Sequence, residues 1–300
     1  MEISASQVKD LREKTGLGMM ICKQALIEAN GDMTLAIENL RKQGQMTAAK
    51  RADKAAKEGK VCIVKDDDDR AAIVYEVNSE TDFVARNDDF IAFIDTLGKL
   101  LLAKKPADHA AALKISDASI GGITVEARVT ELVGKIGENI SFRRYKKMEA
   151  DSANEKVITY LHGVEAGKIG GKIGVLIKLS ATPDAVKSPA INELGKDLAM
   201  QIAAESPIAV NASDISEDII AKEKEIYRDQ AKNSGKPEKI WDKMVEGKLA
   251  KFYEASALVN QKFIRDTEKT VKDRIAETSK AVGAEVKPVC FIRLELGAEG

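Results

Sequence analysis

Several stretches of this 300-residue chain hold residues whose types and spacing could do chemistry. Asp66-Asp67-Asp68-Asp69 has the carboxylates for calcium, but the D-x-D-x-D-G spacing and a distal glutamate are missing, so it reads as a solvated turn. Gly167-Lys168-Ile169-Gly170-Gly171-Lys172-Ile173-Gly174 is glycine-rich and basic like a phosphate cradle. It lacks the G-x-x-x-x-G-K-S/T spacing, with no Ser or Thr after either lysine, and reads as a hairpin loop. His162 has only His109 as a companion, far away in an Ala-rich segment, so neither a metal cluster nor a Ser-His-Asp set can be assembled. Cys22, Cys62 and Cys290 are odd in number, widely separated and without a C-x-x-C pair, as expected of reduced structural thiols. What remains is Asn78-Ser79-Glu80-Thr81-Asp82-Phe83-Val84-Ala85-Arg86-Asn87-Asp88, which sets one aromatic side chain among hydroxyls, carboxylates and a guanidinium.

Two elements must position that stretch. Ala71 to Val77 is a largely apolar, β-branched run of strand length, and Phe90, Phe93, Ile94, Leu97, Leu100 and Leu101 recur at helical spacing. Asn87 or Asp88 is a suitable N-cap for the helix, which leaves Thr81 to Arg86 in the connection, with Phe83 off the helix's apolar stripe. Two readings stand for Phe83: it tucks back under the sheet with Val84 as a hydrophobic staple, or it is held out as a probe for a partner.

Composition bounds the rest. With 44% hydrophobic and 32% charged residues, the chain should bury about three quarters of its unfolded surface in two or more domains. Lys plus Arg (47) nearly balances Asp plus Glu (48) and aromatics are 4%, so no global field or aromatic platform favours nucleic acid. No secretory n-region and h-region pattern appears, and no apolar run approaches the roughly 18 residues of a membrane span. The expectation is a soluble cytoplasmic chain without membrane contact.

In order, Ser4-Ala5-Ser6-Gln7 offers a capping box for a first helix that stops at Gly16. A second helix carries Ile21, Ala25, Leu26 and Ala29, and a third, with Leu35, Ala36, Ile37 and Leu40, runs to Gly44. Met19 and Met20 sit beside a glycine turn, either filling the core or forming an adaptable contact surface. Gln45 to Lys60 is Ala- and Lys-rich and reads as a solvated, partly helical linker. Val61 to Val64 and Ala72 to Val77 form a hairpin; Glu155 to Leu161 and Lys172 to Leu179 form another, followed by a helix from Pro189 to Glu205.

Leu97-Gly98-Lys99 and Leu194-Gly195-Lys196 recur within the two hairpin-then-helix units, suggesting a duplicated building block in an α+β fold. Counted from the last strand to that tripeptide, the first unit takes several residues more, and Thr81 to Val84 lie in the longer route. Between the units, Val125 to Val133 is helical and Lys135 to Arg144 leads into a strand. Ser213-Asp214 opens a helix and Ile240, Met244, Val245, Leu249 and Phe252 mark its antiparallel partner beyond Asn233-Ser234-Gly235-Lys236-Pro237, with Trp241 packing in that hairpin. With so few apolar positions the pair should project from the body. A helix over Thr267 to Val282 and a strand over Val286 to Leu296 close the chain.

Asn78 to Asn87 resembles, almost letter for letter, the signature of the bacterial elongation factor Ts family. The resemblance extends to Thr15-Gly16-Leu17-Gly18-Met19-Met20, Ala29-Asn30-Gly31-Asp32, Lys135 to Arg144, Lys243 to Lys248 and the closing Phe291-Ile292-Arg293 strand. It implies a ubiquitin-associated-like (UBA-like) helical head over 1–53, a core N-subdomain over 54–145, a core C-subdomain over 146–210 and 256–300, and a projecting helical hairpin of dimerisation type over 211–255. The two core subdomains are then duplicated antiparallel sheets backed by helices. The partner implied is the GTPase elongation factor Tu, from which such factors promote GDP release in exchange for GTP.

The exchange loop would be Thr81, Asp82, Phe83 and Val84, with Phe83 wedging between two G-domain helices and Asp82 acting near the Mg²⁺ site. Gly18, Met19, Met20 and Lys23 of the head, and His162 and Gly163, would face the partner. The resemblance implies no enzyme chemistry, cofactor, bound metal or nucleotide of the chain's own. Pairing with a second copy stays open. Some members continue into a C-terminal helical module where this sequence stops at Gly300, so that contact is not expected. The competing reading is a UBA-like adaptor without exchange activity, for which the head alone would suffice and 78–88 would be dispensable.

Overall fold

The computed structural model describes residues 3–165 and 167–298. Helix α1 (Ala5–Thr15) starts at a capping box in which Ser4 and Gln7 satisfy each other's backbone N–H groups, and stops at Gly16 in the left-handed conformation. Helices α2 (Met19–Glu28) and α3 (Met33–Arg51) complete a small bundle around Val8, Leu11, Cys22, Ala25, Leu26, Ala36 and Leu40. The expected stop of α3 at Gly44 is wrong, for the helix runs on to Arg51 and most of the expected linker is helical.

Strands β1 (Glu58–Lys65) and β2 (Ala71–Ser79) form a hairpin, and a 3-10 turn (Val84–Arg86) leads into α4 (Asp88–Lys104), which Asn87 caps. After the short α5 (His109–Leu113), α6 (Val125–Ile136) returns the chain to β3 (Ile140–Glu149), and the sheet order is β1-β2-β3, antiparallel throughout. The second unit repeats this plan with β4 (Glu155–His162), β5 (Ile173–Ser180), a 3-10 turn (Ala185–Lys187) and α7 (Pro189–Glu205). The hairpin α8 (Glu217–Lys232) and α9 (Trp241–Ser256) follows, then the two-stranded β6 (Lys262–Phe263) and β7 (Asp266–Thr270), α10 (Val271–Val282) and β8 (Lys287–Glu295), giving the order β4-β5-β8.

The fold is therefore α+β, and its layers follow from alternation along the strands. On β2, Ile73, Tyr75 and Val77 join Phe90, Ile94, Leu97 and Leu101 of α4 in one core. Their neighbours Ala72 and Val74 face Val157, Leu176 and Leu294 of the other sheet. On β5, Val175, Ile177 and Leu179 in turn meet Ile191, Leu194, Leu198 and Ile202 of α7. The order is helices, sheet, sheet, helices, which is why every residue of β2 is buried. One buried carboxylate within the seam is paired: Glu76, fully buried, binds the Arg144 guanidinium and accepts N–H bonds from Asn78 Nδ2 and Gly297 N, both at 2.8 Å.

The head is fixed to this body where α3 crosses α6, with Gly44 facing Gly134, Arg41 3.4 Å from Glu131, and Ala48 against the first core. That burial, supplied from far along the chain, sustains α3 past Gly44.

The two units correspond more closely than expected. In each, four residues separate the strand from the 3-10 turn: Ser79 to Val84 in one, Ser180 to Ala185 in the other. Both α4 and α7 are 17 residues long and end in a left-handed residue, Lys105 or Ser206. The count to the tripeptide is longer in the first unit, but the extra residues lie in α4 and not in the connection that holds Thr81 to Val84. Leu97 simply lies one helical turn further along α4 than Leu194 along α7, and the shared tripeptide is out of register. Each glycine admits a strand side chain: a methyl on Gly98 would stand 2.4 Å from the Tyr75 hydroxyl, and one on Gly195 2.0 Å from Ile158.

Two later elements also differ. Asn211 and Asp214 cap each other in a 3-10 turn, so α8 begins only after Ser216, which accepts from Ile219 N at 3.4 Å. Thr267 lies in β7 rather than at a helix start, and α10 begins after the capping box of Thr270 and Asp273. The hairpin buries only Ala231 of α8 and Leu249 of α9. At its base Ala209 bridges Ala257, with Leu258 N donating to Ala209 O at 2.9 Å. Among the described residues no helix is long and apolar enough to cross a membrane.

Candidate functional site

The connection from β2 to α4 separates the two candidate roles of its apolar residues. Val84 and Ala85 turn inward, 8% and 4% exposed, with Val84 in the first core; Phe83 turns outward and is 79% exposed. The 3-10 turn causes this split. Ala85 N bonds Thr81 O, Arg86 N bonds Phe83 O and Asn87 N bonds Val84 O, which turns the backbone tightly enough to send adjacent side chains to opposite sides. The staple is thus Val84, and Phe83 is left free.

Thr81 is gripped hardest. Its N–H donates to Glu138 Oε2 at 3.0 Å and its hydroxyl to Glu138 Oε1 at 2.8 Å, while Ser79 Oγ donates to its carbonyl at 2.8 Å. Beside it, Glu80 accepts Asn139 N at 2.6 Å and pairs with Arg51 at 3.2 Å, and Asn139 Nδ2 donates to Lys54 O at 2.7 Å. The end of α3, the β2–α4 connection and the α6–β3 turn therefore meet in one polar cluster. Asp82 is half-exposed and lies 3.4 Å from Arg86, which in turn reaches Glu165 at 3.7 Å.

That second ion pair brings in the end of β4 and the β4–β5 loop: His162, the last residue of β4, is exposed with Nδ1 3.0 Å from the Tyr160 hydroxyl, and Gly163 has φ of 75°. Gly171 in this loop and Gly174 at the start of β5 serve packing. Gly171 exchanges both backbone hydrogen bonds with Val61, and a methyl on Gly174 would stand 2.8 Å from Val61 and from Val74. Among the described residues no group of His, Cys, Asp and Glu is placed to hold a metal.

Gly18 caps α2 without a side-chain bond, and behind it Met19 and Met20 are 44% and 76% exposed, with Lys23 exposed on the same helix. They fill no core. The Arg86–Glu165 ion pair ties the segment of Thr81, Asp82 and Phe83 to the loop that follows His162 and Gly163, whereas Gly18, Met19, Met20 and Lys23 lie on the helical head, where Ile27 and Leu35 are also exposed. Sequence reasoning did not single out Glu80, Glu138, Arg51, Arg86 or Glu165. Glu138 and Asn139 do lie within the Lys135 to Arg144 stretch already marked as family-like, and that was the available signal.

A family model described as elongation factor TS matches residues 80–298. The chain is 43% identical over 299 residues to elongation factor Ts of Chloroherpeton thalassium, covering 99% of each. It is 42% identical to elongation factor Ts of Clostridium botulinum, covering 98% of this chain and 93% of that one. It is also 42% identical to that of Chlorobium phaeovibrioides, covering 99% of each.

Proposed function

Since this chain belongs to the elongation factor Ts family and is thereby a translation elongation factor, we propose that it accelerates GDP release from elongation factor Tu by inserting Phe83 between G-domain helices. The observation that carries this reading is the 79% exposure of a phenylalanine on a turn whose neighbours are buried and clamped. Leaving that ring in water forgoes about 1.5–3 kcal/mol, which a partner's pocket returns on docking.

Asp82 then stands beside the Mg²⁺ site of the partner, where its charge disturbs the ion that holds the β-phosphate. Residues 1–53, with Gly18, Met19, Met20 and Lys23, act as a UBA-like docking head. His162 and Gly163 dock from the second subdomain, and the division at 54–145, 146–210 with 256–300, and 211–255 follows. The chain itself binds no nucleotide, performs no chemical conversion and works in the cytoplasm. Exchange is a coupling free energy: the factor by which this chain weakens GDP is the factor by which GDP weakens this chain, so the ternary complex is short-lived and GTP ends the cycle.

The test is release of a fluorescent GDP analogue from elongation factor Tu at fixed Mg²⁺. Strong acceleration at substoichiometric amounts is expected. No acceleration of the cognate GTPase would overturn the reading and bring forward an adaptor function of the head.

A further inference from the structure

The last pair of the β2–β3 ladder is Ser79 with Ile140, and beyond it the two segments continue to exchange hydrogen bonds through side chains. Glu80 takes the N–H of Asn139 at 2.6 Å, and Glu138 takes the N–H of Thr81 at 3.0 Å. Each segment thus offers a carboxylate to a backbone donor of the other. Glu138 also accepts the Thr81 hydroxyl at 2.8 Å, so both its oxygens are spent on one residue two places before Phe83.

The second unit is an internal control. Thr182 occupies the place of Thr81, and Ala185 N lies 3.4 Å from its hydroxyl just as Val84 N does from that of Thr81. Among the described residues, however, no carboxylate bonds Thr182, Ala181 replaces Glu80, and Asp184 stands where Phe83 does. The turn forms without the clamp, so making the turn is not what the clamp is for. It accompanies the copy that presents an aromatic ring.

We propose that Glu138 is a positioning residue for exchange, acting through Thr81 to hold Phe83 in its outward orientation before the partner arrives. The proposal rests on the exchange function above. A pre-set loop loses little orientational freedom on docking, and charge-assisted bonds are the ones strong enough to set it.

The test uses the full chain with Glu138→Ala, Thr81→Val and their combination. Each single variant should lower the maximal GDP-release rate about tenfold, with the half-saturating concentration of the GTPase complex changed less than about twofold. The double variant should be no worse than Glu138→Ala alone, because the hydroxyl bond that Thr81→Val removes is one of the two that Glu138→Ala removes. Glu138→Gln, which keeps one acceptor, should recover part of the rate.

A second readout needs no GTPase. With Trp241→Phe and Phe83→Trp, fluorescence anisotropy decay reports motion at position 83, and Glu138→Ala should increase it. An unchanged release rate, an additive double variant, or a slower rate without added motion at 83 would each overturn the proposal; Thr81→Val guards against a mere folding defect. Should the unaltered chain fail to release GDP, the function falls, while the anisotropy still decides whether Glu138 positions the loop.

Discussion

Gly134 meets Gly44 at the crossing of α3 and α6 asymmetrically: a methyl on Gly134 would come within 2.7 Å of the Gly44 Cα, whereas one on Gly44 would stand 3.8 Å from the Gly134 Cα. The first distance forces two backbones apart, and the second is ordinary contact. Gly134→Ala should therefore destabilise the chain by about 1–3 kcal/mol. Gly44→Ala should be neutral or gain up to about 1 kcal/mol from helix propensity. Urea unfolding of both variants measures this, and equal losses would contradict the asymmetry.

Phe83→Ala should abolish most GDP release while shifting unfolding stability by no more than about 0.5 kcal/mol, since an exposed ring carries no core contacts. Phe83→Leu should retain an intermediate rate because part of the apolar volume survives. GDP-analogue release beside a urea melt separates the two effects, and full activity in Phe83→Ala would remove the wedge.

Glu76 lies fully buried between the sheets against Arg144, with Gly297 N and Asn78 Nδ2 on its other oxygen. Glu76→Ala should cost about 3–5 kcal/mol, because it strands a guanidinium and two N–H donors. Combining it with Arg144→Met should recover part of that loss. The midpoints of urea unfolding test both claims, and a double variant that loses as much as the sum of the singles would refute the pairing.

Acid should weaken the fold through named carboxylates. Partial burial works against ionisation of Asp69, but hydrogen bonds and charge from Lys65 and Lys156 outweigh it and hold its carboxyl below the ordinary 3.8. The Lys105 ammonium, 2.8 Å away, holds Glu149 below 4.5 against a smaller burial effect. Groups with lowered values bind fewer protons folded than unfolded, so their stabilisation is present above those ordinary values and is lost as pH falls through the folded-state ones. Urea midpoints taken from about pH 6 to about pH 3 should decline most below the ordinary carboxylate range. Glu149→Gln should flatten part of the decline; a superposable curve would mean the Lys105 pair contributes nothing.

What was legible in the sequence had local causes. Ser4 with Gln7, Gly16 and Asn87 mark helix ends through their own side chains or backbone freedom, and α7 is bounded as expected at Pro189 and Glu205. What was not legible depends on partners distant along the chain. The last turns of α3 have no apolar period of their own and rest on α6. The β6–β7 strands are too short and charged to alternate, and are held from α7: Gln201 accepts from Ile264 N at 2.8 Å and Asp197 pairs with Arg265 at 2.7 Å. The partners of the β2–α4 connection were likewise hidden, because Glu138 comes to Thr81 only when β3 pairs with β2. The out-of-register tripeptide shows the converse hazard, since identical letters one helical turn apart solved the same steric problem at different strand residues.

The bridge between Ala209 and Ala257 makes everything from 211 to 255 a closed excursion whose two feet stand side by side. The body therefore senses only the feet. Because loop-closure entropy rises only with the logarithm of length, about 0.6 kcal/mol for each doubling, that excursion is free to lengthen, shrink or be exchanged for another insert over evolutionary time. The cores and the β2–α4 connection would keep their register throughout.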